Sequence, residues 1–123
     1  MSTRLEQITA ILARLSASGG ADLMAAVAVN MEGIVLASRV LGDANADRIG
    51  AVAASFVGMT KRVAGDLKIG NAEETILRAD DGIFVVLRSG DQSLLAVNLR
   101  GGANLGITLL EAREAAAAIG RAL

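Results

Sequence analysis

The sequence predicts a single α+β domain over residues 1–123, with its elements in the order α-β-β-α-β-β-β-α. Three observations carry that reading. Three stretches place apolar residues at helical spacing, and five short runs between them are Val-rich or alternate apolar with polar residues, as strands do. Proline is absent, and no linker-like or repeated segment divides the 123 residues. A chain of this length buries roughly two thirds of its unfolded surface around one core.

The first helix begins at Thr3-Arg4-Leu5-Glu6, a capping box in which the Thr3 hydroxyl accepts a backbone N–H and Glu6 reaches back to the cap. Leu5, Ile8, Leu12 and Leu15 form its expected buried stripe, and Ser18-Gly19-Gly20 ends it. Met24 to Asn30 and Ile34 to Arg39 then read as a hairpin closed by Met31-Glu32-Gly33, where Gly33 supplies the positive φ of a short loop. Residues Val40 to Asn45 cross to the second helix, with Asn45 or a neighbouring Asp as its cap.

Ala46 to Leu67 is the longest element, and its sequence suggests two apolar faces. Ile49, Val52, Ala53, Phe56, Val63, Ala64 and Leu67 make a broad stripe expected to cover a sheet. Gly50, Ala54 and Gly58 recur at four-residue spacing and are expected to leave the backbone bare on the opposite side. Gly50, Gly58 and Gly65 together cost the helix about 2–3 kcal/mol relative to alanine, which a merely solvated face would not justify. Arg48, Lys61, Arg62 and Asp66 flank this ridge as a polar rim of the kind that surrounds an interface.

Beyond it, Glu73 to Ala79 alternates charged and apolar residues, as an edge strand does, and Asp80-Asp81-Gly82 turns the chain. Ile83 to Ser89 and Ser93 to Leu99 are almost continuously apolar, so both belong in the centre of the sheet with helices on both faces. Asn104 caps the last helix, whose stripe is Leu105, Leu109, Ala112, Ala116, Ile119 and Leu123.

Composition narrows the function. With no Cys and no His, the chain lacks thiolate nucleophiles, the usual zinc ligands and the side chain that titrates near neutral pH, so an enzyme is disfavoured and no metal or cofactor is expected. A net charge of −1 and only two aromatic residues, Phe56 and Phe84, speak against nucleic acid. The longest uncharged run, Ile49 to Thr60, falls short of the roughly 20 residues that span a bilayer, so no membrane insertion is expected. Glu6 interrupts any signal-peptide core, and a cytoplasmic location is the expectation. An apolar content of 53% and a mean hydropathy of +0.51 are high for a small domain and imply surface covered by another subunit.

Two motifs have simpler explanations than a ligand. Gly101 to Thr108 resembles a phosphate-binding loop, but Ile107 stands where its Lys belongs and the helix starts before the second Gly. The acidic pairs are explained locally: Glu73 and Glu74 point to opposite faces of a strand, and Asp80-Asp81 forms a turn.

The order of elements, together with the hairpin AAVAVNMEGIVLAS (Ala25 to Ser38) and the closing helix ANLGITLLEAREAAAAI (Ala103 to Ile119), resembles the Roadblock/LC7 family, in particular its small bacterial members of the MglB kind. The resemblance implies a profilin-like fold with a five-stranded antiparallel sheet, the long helix on one face and the terminal helices on the other. It also implies a homodimer in which the long helices lie side by side and the edge strands pair. Carried onto this chain, the helix contact falls on Gly50, Ala54 and Gly58, and the strand contact on Glu74, Ile76 and Arg78. The implied partner is a Ras-like small GTPase, docked on the paired helices with Arg48, Lys61 and Arg62 at the rim and no catalytic residue supplied. The function expected is therefore a GTPase-binding regulator or adaptor, with or without stimulation of hydrolysis. The alternatives are a scaffold that links larger components without affecting nucleotide state and, ranked below it, an enzyme or small-ligand sensor.

Overall fold

The structure is a computed structural model that describes residues 3–123. Its elements are α1 (Arg4–Gly19), β1 (Leu23–Asn30), β2 (Val35–Val40), α2 (Ala46–Leu67), β3 (Glu74–Ala79), β4 (Gly82–Ser89), β5 (Ser93–Arg100) and α3 (Leu105–Ala122), with one short 3-10 turn at Gly20–Asp22. The five strands form one sheet in the order β2-β1-β5-β4-β3, antiparallel at every pairing. The nearly continuous apolar strands β4 and β5 thus lie inside the sheet, and the alternating strand lies at its edge.

Local chemistry sets the boundaries. Thr3, Asn45 and Asn104 cap the three helices, their side chains accepting the backbone N–H of Glu6, Arg48 and Ile107. Gly33 takes φ +90° in the first hairpin, where Asn30 Oδ1 accepts the N–H of both Glu32 and Ile34 and holds the loop shut. The β3–β4 turn is the two residues Asp80-Asp81, with Ala79 and Gly82 paired across it.

The sheet separates two cores. On one face α1 and α3 bury Ile8, Leu12, Leu15 and Ile119 against Leu23, Val85, Leu95 and Leu99. On the other, α2 alone packs against Val27, Val29, Val86, Leu94 and Ala96, using Ile49, Ala53, Phe56 and Val57. Phe56 and Phe84 meet there with ring centroids 6.0 Å apart.

Several side chains expected in the core lie outside it. Leu5 is exposed, and Ile11 is the buried residue on that side of α1. Leu123 is exposed at the end of α3, while Thr108 and Ala115 are buried alongside Ala112, Ala116 and Ile119. The largest departure concerns α2: Val52, Val63 and Leu67 are 49%, 51% and 63% exposed, and Met59 beside them is 65% exposed. Its contact with the sheet instead runs through Ala46, Ile49, Gly50, Ala53, Phe56 and Val57.

Candidate interaction surface

The orientation of α2 decides which residues another molecule can reach. Four residues of helix advance the side-chain direction by about 400°, so each step of four drifts by about 40°. Gly50, Ala54 and Gly58 therefore span about 80° of one side of the helix, running from a buried position to an open one, so the bare ridge expected from their spacing is not exposed along its length. Gly50 is buried by the chain's own first hairpin: a Cβ there would stand 2.8 Å from both the Gly33 carbonyl oxygen and Val29 Cγ1. Ala54 is half-buried beside Gly33, and Gly58 alone is open, with nothing near the position its Cβ would take. The glycine cost at position 50 is thus explained by close helix–hairpin packing inside the monomer.

What α2 does leave open is an apolar flank. Val52, Met59 and Val63 fall within about 40° of one another around the helix axis, with half-buried Phe56 next to them. A surface hollow joins the start of this flank to β3, lined by Arg48, Ile49, Val52, Leu77 and Phe84. Leu77 is half-exposed on that same face of the sheet, and Thr75 hydrogen-bonds Thr60 of α2 through their hydroxyls at 3.3 Å. A stripe of large apolar side chains on one helix, continuous with an apolar strand residue, exceeds the scattered exposure usual on a monomer.

The strand beside it offers an unpaired backbone. Glu74 opposes Leu87, Ile76 opposes Val85 and Arg78 opposes Ile83, while the Arg88 N–H donates to the Glu73 carbonyl at 3.0 Å. Because hydrogen-bonded and non-bonded pairs alternate along an antiparallel ladder, Thr75, Leu77 and Ala79 face β4 with their backbone groups. The outward N–H and C=O groups belong to Glu74, Ile76 and Arg78, the three residues assigned to strand contact from the resemblance. Their side chains share the α3 face of the sheet, where Glu74 accepts a bidentate bond from Arg113, at 2.6 Å from Nε and 3.1 Å from Nη2. That hydrogen bond raises the Arg113 pKa above its ordinary value against a smaller opposing effect of desolvation.

The three expected rim cations separate. Arg48 borders the Leu77 hollow and Arg62 projects from the exposed side of α2. Lys61 lies about 100° away from Arg62 around the helix and lines a different cavity, at the end of the sheet formed by the Glu73 and Asp91 loops. The sequence reading missed both the Val52–Met59–Val63 flank and this cavity. The flank has a sequence signal in the helical spacing of its large residues, seven and then four apart, but that signal merges with the stripe assigned to the core.

Among the described residues, no group of three or more His, Cys, Asp or Glu side chains is placed to hold a metal ion, and no helix is long and apolar enough to cross a membrane. Of the acidic pair at the start of β3, Glu74 is committed to an ion pair with Arg113.

Sheet order, helix placement and an open edge strand together define a class of small α/β sandwich whose long central helix stands on one face of the sheet. The chain belongs to the Roadblock/LC7 domain family, whose model matches residues 10–98. Its fold is similar to that of a solved structure described as MglB with tetrameric arrangement, at TM-score 0.90 and 21% identity over 99% of this chain and 91% of the other. It is also similar to the gliding protein MglB of Thermus thermophilus, at TM-score 0.89 and 20% identity over 99% and 92% of the two chains. In sequence, an uncharacterized protein of Methanocaldococcus jannaschii is 27% identical over 109 residues, covering 89% of this chain and 93% of the relative.

Proposed function

We propose that this chain forms a homodimer through the open flank of α2 and the edge of β3, and that the paired α2 helices dock a Ras-like small GTPase as a regulator or adaptor with no active site of its own. The observation that carries the dimer is the continuity of an exposed apolar flank, Val52–Met59–Val63 with Leu77, and an unpaired strand edge on the same side of the domain. Membership in the Roadblock/LC7 family and likeness to MglB support the GTPase as partner.

The outward backbone groups set the register of the paired strands. A two-fold axis through Ile76 brings Ile76 against itself and Glu74 opposite Arg78 of the second copy, so opposite charges meet at both ends of the seam. On the other face the same axis sets Leu77 across from Thr75, below the two α2 flanks. Arg48 and Arg62 remain free for rim contacts with a GTPase, while Gly50 and Ala54 are occupied within the subunit.

Single-turnover GTP hydrolysis by a Ras-like GTPase from the same cell, measured with and without this protein, tests the reading alongside binding to the GDP-loaded and GTP-loaded forms. Binding to one form in preference, with or without faster hydrolysis, is the expected result. Failure to bind either form overturns it. Binding indifferent to the nucleotide, with no change in rate, identifies a scaffold instead.

A further inference from the structure

The cavity that Lys61 lines has a composition that neither the dimer nor GTPase docking explains. It occupies about 170 Å³ between the C-terminal half of α2 and the end of the sheet. Its floor is apolar: Val86 and Leu94 reach it although each is only 1% exposed, and Val57 of α2 forms a wall. Four charged residues from four separate segments line it, namely Lys61 of α2, Glu73 of the following loop, Arg88 of β4 and Asp91 of the β4–β5 turn; the last three also border the hollow on the α3 side of the same sheet end.

Two cations and two anions converging on one cleft would ordinarily neutralise one another. Among the described residues only two ion pairs form, Arg100 with Asp22 and Arg113 with Glu74, and neither involves these four. Both signs of charge are therefore held more than 4.0 Å apart around an apolar floor. A volume below the roughly 300–1,000 Å³ typical of larger ligand sites leaves room for one small metabolite and excludes a nucleotide or a peptide.

We propose that this cavity binds a small zwitterion of the free α-amino acid class with an aliphatic side chain. Lys61 and Arg88 take the carboxylate, Glu73 and Asp91 take the ammonium group, and the side chain lies on Val57, Val86 and Leu94. The cavity also includes Thr75, whose hydroxyl bonds Thr60 and so ties β3 to α2. A bound ligand would brace the two elements that carry the open surface. The binding itself requires only the cavity, so it stands whether or not the chain meets a GTPase.

With neither Trp nor Tyr in the chain, the test uses amide NMR of the isotope-labelled full chain titrated with leucine, valine and alanine, and with leucinamide and 4-methylvalerate, which each lack one charge. Saturable shifts centred on Val57, Lys61, Thr75, Arg88 and Leu94 are expected for at least one amino acid, with each single-charge analogue at least about tenfold weaker. Arg88→Ala and Glu73→Ala alter exposed side chains, so the remaining spectrum should be preserved while affinity falls about tenfold in each. No saturable shift with any of the amino acids at millimolar concentration overturns the proposal. So does equal binding of the single-charge analogues, or undiminished binding by both variants.

Discussion

The two faces of the sheet are built to different degrees of completion. On the α1/α3 face, two helices lay Ile8, Leu12, Leu15 and Ile119 over the strands, and those four side chains are buried. On the α2 face, one helix covers β1, β2 and β5 well but leaves several of its own large apolar residues, and the strand β3, open to solvent. The first face is the more nearly finished, although Leu5 of α1, Ile76 of β3 and Ile107 and Leu110 of α3 stay exposed. The second has the apolar surface of a core without a second layer, and such surface is stable in water only at a cost that a covering partner removes.

Substitutions on the two faces should therefore separate cleanly. The largest effect is expected inside the α1/α3 face: Ile119→Ala should lower unfolding stability by about 2–5 kcal/mol in urea denaturation followed by circular dichroism, because a fully buried side chain is removed from the core. Gly50→Val comes next, since the added side chain meets the Gly33 carbonyl and Val29 inside the monomer. A loss of about 1–3 kcal/mol is expected. A stability unchanged from that of the parent chain would show that the hairpin contact is loose.

On the open face the expected change is in association, with little effect on the fold. Met59→Asp should convert the proposed dimer to monomer in light scattering while the circular dichroism spectrum is retained, and a dimer that survives would move the interface elsewhere. The strand register has a sharper test. Arg78→Glu and Glu74→Arg should each weaken self-association by roughly 0.2–1 kcal/mol per altered cross-strand pair, Glu74→Arg also losing the ion pair with Arg113 within the subunit. A mixture of the two variants should recover a heterodimer, and failure of the mixture to associate better than either variant alone would rule out the Ile76-centred axis. The smallest effect belongs to Gly58, which touches nothing: Gly58→Ala should stabilise α2 by about 0.5–1 kcal/mol and leave association intact.

Most of the fold was legible in the sequence because local chemistry marks it. Thr3, Asn45 and Asn104 announce helix starts, Gly33 and Asp80-Asp81 announce turns, and the contrast between alternating β3 and continuously apolar β4 and β5 announces edge and centre. The rotation of α2 was not legible. Apolar and small residues nearly encircle it, so periodicity does not say which arc meets the sheet; the hairpin decides, through a contact between Gly50 and Gly33 that depends on the fold. Lys61, Glu73, Arg88 and Asp91 were invisible as a group for a related reason: each belongs to a different segment, and only the convergence of a helix, a loop, a strand end and a turn assembles them.

The outward backbone of β3 has a consequence for the protein's behaviour on dilution. Three residues, Glu74, Ile76 and Arg78, hold hydrogen-bonding groups that water satisfies when no second copy is present, and mass action then sets how often that happens. The melting temperature should rise with protein concentration. If the proposed dimer forms, a sparse cell would hold subunits with a raw strand edge, on which the charge of Arg78 disfavours pairing with another apolar strand.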